Sequence, residues 1–269
     1  MTNIISIDDY DLAGALQVVA GFGTQRYGYL VTPNVDHIIR QHDDHGFREL
    51  YAQAAFVLLD SRFLAHTVAV IKRQYFKVCQ GSDLTTNVLS DIVNPFDAVV
   101  LVGGTAQQAQ ALRERFGLKA LEHINPPMNF IRDVAAVENC LQAIEAASPF
   151  RFCFLAIGSP QQEIIAQKLK ERGRARGLAL CVGAAVNFLT GIEKRAPRWM
   201  QHLGFEWLFR LMQDPRRMAK RYLVRGPRIF LLLWRMEFRL RRAAVAVEVK
   251  DISDTPATTT IIGSTGQIV

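Results

Sequence analysis

Short apolar runs alternate with longer amphipathic stretches along the first 190 residues. The apolar runs predict β-strands at 27–32, 54–59, 97–102, 151–157 and 178–183, with a weaker candidate at 119–123. The stretches between them predict helices near 36–53, 62–73, 83–91, 105–116, 133–147 and 160–173. Strands that alternate with helices in this way are typical of an α/β fold, in which helices cover both faces of a mostly parallel, Rossmann-like sheet.

Two helix starts have recognisable capping sequences. Thr105 opens T-A-Q-Q and Ser159 opens S-P-Q-Q, and both fit a capping box in which the first side chain and the third helical residue exchange hydrogen bonds. Pro160 falls at the first helical position, where proline is favoured. We therefore expect helices to begin immediately after Thr105 and Ser159.

Polar residues and glycines follow the predicted strands at the points where the strands end. In an open parallel sheet these points share one edge, which is where such sheets bind ligands. The residues concerned are Thr32, Asn34, Asp60, Gly103, Gly104, Gly158, Ser159, Gln162 and Gly183.

The pattern changes near residue 187, where basic helical stretches begin. Residues 194–242 hold 14 Lys and Arg but 3 Asp and Glu, a balance of +11, whereas the rest of the chain has a balance of −4. We predict helices at 197–213, 215–225 and 228–245, separated at Pro215 and Pro227. The chain thus divides into an α/β body at 1–193, a basic helical appendage at 194–245 and a disordered tail at 246–269.

The last predicted helix has one basic stripe. Arg228, Arg235, Arg239 and Arg242 fall on one side at 100° per residue, and Phe230 to Phe238 supply an apolar remainder. This pattern is typical of a helix that lies in a membrane interface, so an anionic membrane surface is an expected partner. The alternative is a helix packed on the body with its arginines in water.

The cysteines and the N-terminus indicate a cytosolic setting. Cys79, Cys140, Cys153 and Cys181 form no C-x-x-C pair, which favours a reducing compartment over a disulfide framework. We see no signal peptide, and the apolar run 229–234 is far shorter than the ~20 residues of a membrane-spanning helix.

Each candidate site residue, taken alone, fits both a functional and a structural role. Asp60 is the best general-base candidate, because a carboxylate at a sheet edge meets low-dielectric walls, although it would also serve as a helix cap. The Gly103–Gly104 turn would present amide groups to a diphosphate, or be only a tight turn. The amide of Gln162 would bind a sugar or uracil, or complete its capping box. No pair of histidines has convincing metal-ligand spacing, and no D-x-D lies in an apolar context.

The order of the motifs is more informative than any one of them. The motifs are T-P-N-V-D-H at 32–37, L-L-D-S at 58–61, G-S-D-L at 81–84, L-V-G-G-T at 101–105, N-P-P at 125–127, G-S-P-Q-Q-E at 158–163, V-G-A-A-V-N-F-L-T-G at 182–191 and K-R-A-P-R-W-M-Q-H-L-G-F-E-W-L-F-R-L at 194–211. In this order they resemble the WecG/TagA/CpsF glycosyltransferases, over roughly residues 5 to 235.

This resemblance implies an inverting enzyme that needs no cofactor or catalytic metal. The family transfers a sugar from a UDP-sugar to a polyprenyl-diphosphate-linked saccharide at the cytoplasmic face of the inner membrane. By position, Asp60 matches the proposed general base, and Thr32 and Asn34 match the polar pair near the reacting sugar. The oligomeric state stays open, a homo-oligomer included.

The resemblance places Gln162 at the donor site, and its neighbours and the residues at the strand ends complete the candidates for that site. The candidate donor-binding residues are Gly103, Gly104, Thr105, Gly158, Gln162, Glu163 and Gly183. The basic appendage is expected to supply arginines to the acceptor diphosphate, with Lys77 in place of a family arginine. The candidates for this acceptor site are Lys77, Arg198, Arg210, Arg217, Arg221 and Arg225.

The chain departs from the family pattern at three places. L-D-S-R-F replaces A-D-G-x-G at Asp60, K-V-C-Q-G-S-D has one residue more than R-V-x-G-S-D, and Gln161 replaces a lysine. We therefore predict a donor sugar other than N-acetylmannosamine, such as glucose or another hexose of an exopolysaccharide.

Two other functions fit parts of the pattern. A nucleotide-dependent oxidoreductase would share the sheet edge, but G-x-G-x-x-G and P-loop sequences are absent. A nucleic-acid-binding protein would explain the basic end, but the spacing of Trp199, Trp207 and Trp234 suits burial or lipid better than base stacking, so nucleic acid is not an expected partner.

Overall fold

A computed structural model describes residues 3–241, and within them the predicted α/β architecture is confirmed. The strands are β1 Asn3–Ile7, β2 Tyr27–Val31, β3 Phe56–Val57, β4 Val99–Val102, β5 Leu121–Ile124, β6 Phe152–Leu155, β7 Gly177–Cys181 and β8 Met236–Leu240. Six of them form a parallel sheet in the order β3-β2-β7-β6-β4-β5, and β1 pairs with β8 in a second, two-stranded sheet.

Helices join the strands and cover both faces of the large sheet. They are α1 Leu12–Ala20, α2 Val35–Asp43, α3 His45–Ala52, α4 Arg62–Lys72, α5 Gly81–Asn87, α6 Ala106–Phe116, α7 Val134–Ala146, α8 Gln161–Arg172, α9 Ala185–Leu189, α10 Arg198–His202, α11 Glu206–Gln213, α12 Pro215–Ala219 and α13 Arg228–Leu233. Val88–Ile92 and Lys220–Arg225 are π-helical, and Phe130–Arg132 is a 3-10 turn.

The apolar runs are buried on both faces of the sheet. Val99 and Leu101 of β4 belong to the hydrophobic core on one face, and Val100 and Val102 to the core on the other. Strands covered on both sides carry continuous apolar runs instead of an alternating pattern, which is why these strands were readable from the sequence.

Several predicted helices are interrupted. The expected helix at 36–53 is two helices, because Asp44 leaves the helical conformation and its side chain accepts from Phe47 N at 3.1 Å, which caps α3. The expected helix at 197–213 breaks at Gly204, which adopts a φ of +78°. The pattern at 3–20, which forms β1 and α1, was not predicted.

The predicted helix at 228–245 is wrong for the described residues after Leu233. Residues 236–240 instead form β8, which pairs in parallel with β1 from Asn3↔Met236 to Ile7↔Leu240. Met236 and Phe238 are buried while Glu237 and Arg239 are exposed, so the local pattern has the two-residue period of a strand. The four arginines therefore do not share one helical stripe, and Arg242 and the predicted tail at 246–269 lie outside the described residues.

The end of the described chain packs against its beginning. A third hydrophobic core joins Ile229, Leu233 and Phe238 to Ile5 and Leu64. Arg241 extends this contact, since its guanidinium lies 3.6 Å from Asp8 Oδ2 and donates to Ala54 O at 2.9 Å. The segment after residue 194 thus contributes to a core shared with the body. Between residues 3 and 241, no helix reaches the length and apolarity required to cross a bilayer.

Candidate active site

A cleft with two chambers lies at the carboxyl edge of the large sheet. The polar chamber has a volume of about 780 Å³, and the apolar chamber beside it about 360 Å³. The apolar chamber includes Phe63, Trp207, Tyr222 and Phe230 in its wall. Residues that border both chambers mark a junction between them: Asn34, Asp36, Asp60, Glu206, Arg210 and Arg221.

Asp60 sits at this junction, half-buried, directly after β3. Its Oδ1 accepts a 2.7 Å hydrogen bond from Gly81 N. Ser61, not Asp60, caps α4 by accepting from Leu64 N at 3.2 Å, so the interpretation of Asp60 as the helix cap is wrong. Burial raises the pKa of Asp60 above its ordinary value, against the opposing effects of the Gly81 hydrogen bond and of Arg210. A raised pKa makes a carboxylate a stronger base once it is ionised.

Thr32 and Asn34 lie where the sequence placed them, beside Asp60 in the cleft. Asn34 also has structural duties: its Oδ1 caps α2 and accepts from Arg221 Nη2 at 3.2 Å. Arg221 lies 3.9 Å from Asp36 Oδ2 as well. The sheet edge and the C-terminal segment are therefore joined at the junction by a charged contact.

Gln162 and Gly183 meet in the wall of the polar chamber. Gly183 N donates to Gln162 Oε1 at 2.9 Å, and Gln162 Nε2 donates to Glu163 Oε1 at 3.0 Å. Because α8 begins at Gln161 with Pro160 as its cap residue, the predicted capping box at Ser159 is wrong. The Gln162 amide is held instead by Gly183, just after β7, and by Glu163, while Gly158 and Ser159 still border the chamber.

A buried polar chain continues beneath Gln162. Tyr51 donates to Glu163 Oε1 at 3.3 Å and lies 3.0 Å from His37 Nδ1. Burial raises the pKa of Glu163 and, with the charge of Arg221, lowers the pKa of His37 to about 3, which keeps the imidazole neutral at neutral pH. Glu163, a candidate donor-binding residue, is fully buried and does not border the chamber.

The basic residues predicted for the acceptor site fall into two groups, those that border the cleft and those that do not. Arg210 and Arg221 border both chambers, and Arg210 stacks on Phe188 at 5.1 Å. Arg198 and Arg225 are exposed and border neither chamber. Lys77 also lies outside the cleft, with its Nζ 3.8 Å from Asp11 Oδ2. The side chain of Arg217 is outside the described part of the chain.

The Gly103–Gly104 turn does not reach the cleft. A side chain at Gly103 would meet Ala156 O at 2.9 Å, so this glycine permits a close approach between two strand ends. Thr105 and Gln108 form the predicted capping box. Gln108 then donates to Asn187 Oδ1 at 2.9 Å, which ties α6 to α9.

Two cleft residues escaped the sequence analysis. Arg40 borders the polar chamber, and Glu206 borders both chambers from the start of α11. Glu206 and Arg210 are four residues apart, a spacing that places two side chains on one helical face, and this pairing was a usable signal. No group of three or more His, Cys, Asp or Glu side chains is positioned to hold a metal ion within the part of the chain described.

Comparison with protein families gives one match over most of the chain. The model of the glycosyl transferase WecG/TagA/CpsF family matches residues 2–243. The matched range includes both chambers and every described strand.

Proposed function

The chain belongs to the WecG/TagA/CpsF glycosyltransferase family, and on that premise we propose that it transfers a sugar from a UDP-sugar to a polyprenyl-diphosphate-linked saccharide. The observation that carries this proposal is the position of Asp60 where a polar and an apolar chamber meet. One chamber suits a charged nucleotide-sugar and the other an isoprenoid. Membership of this family favours glycosyl transfer over the oxidoreductase and nucleic-acid-binding alternatives.

The reaction is a single displacement. Asp60 takes the proton of an acceptor hydroxyl, and the oxygen attacks the anomeric carbon as the bond from that carbon to the UDP oxygen breaks. Gly81 N–H fixes one carboxylate oxygen of Asp60, and the other receives the proton. The configuration at the anomeric carbon is inverted, and UDP leaves with the bonding electron pair.

Charge on the leaving group and on the acceptor is met by arginines. Arg210 and Arg221 border both chambers, so they are positioned for a diphosphate at the junction. Fixed cations in a partly desolvated cleft stabilise developing negative charge more strongly than water does. We expect transfer without added divalent cation, and turnover that persists in excess EDTA would support this.

One of the three departures from the family pattern, L-D-S-R-F around Asp60, borders the apolar chamber, whereas Gln161 borders neither chamber. Ser61, Arg62 and Phe63 all lie in the wall of the apolar chamber, and Phe63 packs edge-on against Trp207 and Phe230 at 6.3 and 6.2 Å. The hypothesis of a hexose other than N-acetylmannosamine remains a proposal, and the same departure bears on how the acceptor is held.

An anionic membrane surface at the cytoplasmic face is the proposed setting. Trp199 and Trp234 of the C-terminal segment are 62% and 73% exposed, and Leu231 is 74% exposed. Large apolar side chains among arginines favour an interfacial location. Sedimentation with phosphatidylglycerol vesicles but not with phosphatidylcholine vesicles is the expected result.

A donor panel tests the function directly. Purified protein is incubated with several UDP-hexoses and UDP-N-acetylhexosamines, each with and without a polyprenyl-diphosphate-linked saccharide, and UDP release is measured. We expect release that depends on the acceptor and is highest for a hexose donor. Turnover of UDP-N-acetylmannosamine alone would contradict the donor hypothesis, and no acceptor-dependent release from any donor would contradict the function.

A further inference from the structure

Glu206 is a second carboxylate at the junction where Asp60 lies. Its side chain is 25% exposed and borders both chambers. Gln80 Nε2 donates to Glu206 Oε2 at 2.8 Å, while the next residue, Gly81, donates its N–H to Asp60. Two consecutive residues at the start of α5 therefore hold the two carboxylates in a fixed relation.

Arg195 lies near Glu206 without a direct hydrogen bond to it. Glu206 Oε1 lies 4.0 Å from Arg195 Nε, which is too long for a hydrogen bond, whereas the same guanidinium bonds directly to Asp83. Burial, and then the charge of Asp60, raise the pKa of Glu206 against the opposing charges of Arg210 and Arg195. A partly desolvated carboxylate of this kind gains from hydroxyl donors that enter the cleft.

The chemistry of a carboxylate selects among the groups of the two substrates. A carboxylate repels phosphates, and Arg210 and Arg221 at the same junction are better suited to bind them. A carboxylate does accept short, charge-assisted hydrogen bonds from sugar hydroxyls. The group that must lie beside Asp60 is the attacking hydroxyl of the acceptor. Because Glu206 borders the same junction as Asp60, other hydroxyls of that sugar ring would enter the part of the cleft that Glu206 lines.

We propose that Glu206 binds the acceptor sugar by accepting a hydrogen bond from a hydroxyl other than the attacking one. The inference rests on the proposed glycosyl transfer and adds a specificity-determining residue to it. Because Glu206 belongs to α11, the C-terminal segment contributes to recognition of the acceptor's sugar as well as its diphosphate.

The test compares Glu206→Gln with Glu237→Gln, a matched change at an exposed carboxylate of β8 that contacts Arg239 outside the cleft. Glutamine keeps an oxygen that can accept from Gln80, so Glu206→Gln should retain the fold. We expect the KM for the polyprenyl-linked saccharide to rise by about 10- to 100-fold, the usual effect of losing a hydrogen bond to a charged group. The KM for the UDP-sugar and kcat should change less than threefold, and Glu237→Gln should match wild type.

Acceptors that each lack one hydroxyl identify the partner. With one of these deoxy acceptors, wild type and Glu206→Gln should have the same KM, because the interaction is already absent. Equal losses on every deoxy acceptor, a rise in donor KM alone, or behaviour like that of Glu237→Gln would overturn the inference. A wild-type protein that transfers no sugar would instead refute the proposed function, and the inference with it.

Discussion

Asp60 Oδ1 and Gly81 N are joined by a 2.7 Å hydrogen bond that fixes the carboxylate at the junction of the two chambers. The bond links two sequence motifs: L-L-D-S supplies the carboxylate, and G-S-D-L supplies the amide that orients it. A side chain at residue 81 would approach Thr32 Oγ1 to 3.0 Å, so glycine at this position also allows Thr32 to lie close.

The activity should depend on pH through Asp60. Burial raises the pKa of this carboxyl, and a general base acts only when ionised, so kcat/KM should fall as the pH drops through that raised value. The acidic limb of the pH profile should therefore lie above the ordinary aspartate value of about 4. A limb at or below about 4, in protein that remains folded, would argue against this environment.

The free energy of unfolding should also depend on the Asp60 carboxyl, but in the opposite direction: ionisation supports activity and lowers stability. A carboxyl whose pKa is higher in the folded than in the unfolded protein costs stability at every pH above that raised pKa, and the cost disappears as the pH falls towards the unfolded value. A tenfold difference in proton affinity between the two states corresponds to about 1.4 kcal/mol. Asp60→Asn should thus increase the free energy of unfolding at pH 7 and not near pH 3, as measured by urea denaturation. Equal or lower stability at pH 7 would contradict the expected cost of ionisation.

Arg221 should matter far more than Arg225, although both come from the same basic segment. Arg221→Ala removes a cation from the junction and should lower kcat/KM by about 10²–10³-fold, the range for losing one preorganised charge-stabilising group. Arg225→Ala, an exposed control outside both chambers, should stay within threefold of wild type. Steady-state kinetics measure kcat/KM for both variants. Equal losses of kcat/KM would indicate that both arginines act through general attraction to the membrane instead.

The strand β8 gives a stability prediction that separates packing from lipid contact. Phe238 is 4% exposed and packs on Phe76 at 5.9 Å, so Phe238→Ala should lower the free energy of unfolding by about 3–5 kcal/mol. Arg239→Ala, on the exposed side of the strand, should change it by less than about 0.5 kcal/mol. If Phe238 faced lipid as part of a helix, its removal would weaken vesicle binding and leave stability unchanged.

Much of the fold and half of the site follow from local sequence patterns. Strands β2, β4, β6 and β7 are apolar because both faces are buried, and Thr32 and Asp60 were placed at the edge because parallel strands share a direction. Such inferences need only the strand positions.

Two of the larger errors came from long-range pairing. Strand order separates β4 from β2 by β6 and β7, which carries Gly103 away from Asp60, and no local pattern reveals that order. The partner of Met236 is Asn3, at the other end of the chain, so M-E-F-R-L reads locally as a continued helix. Glu206 shares a helical face with Arg210, but its contact with Gln80, 126 residues earlier, is not visible in any local pattern.

The most direct test of the account is single-turnover transfer by Asp60→Asn, with Asp91→Asn at an exposed position as the control. Asparagine keeps an oxygen for Gly81 but cannot take a proton at neutral pH. We predict that transfer from the UDP-sugar to the polyprenyl-linked saccharide slows by about 10²–10⁴-fold, with donor affinity within threefold of wild type and Asp91→Asn unaffected. Transfer by Asp60→Asn at a near-normal rate would contradict the assignment of Asp60 as the base and the mechanism built on it.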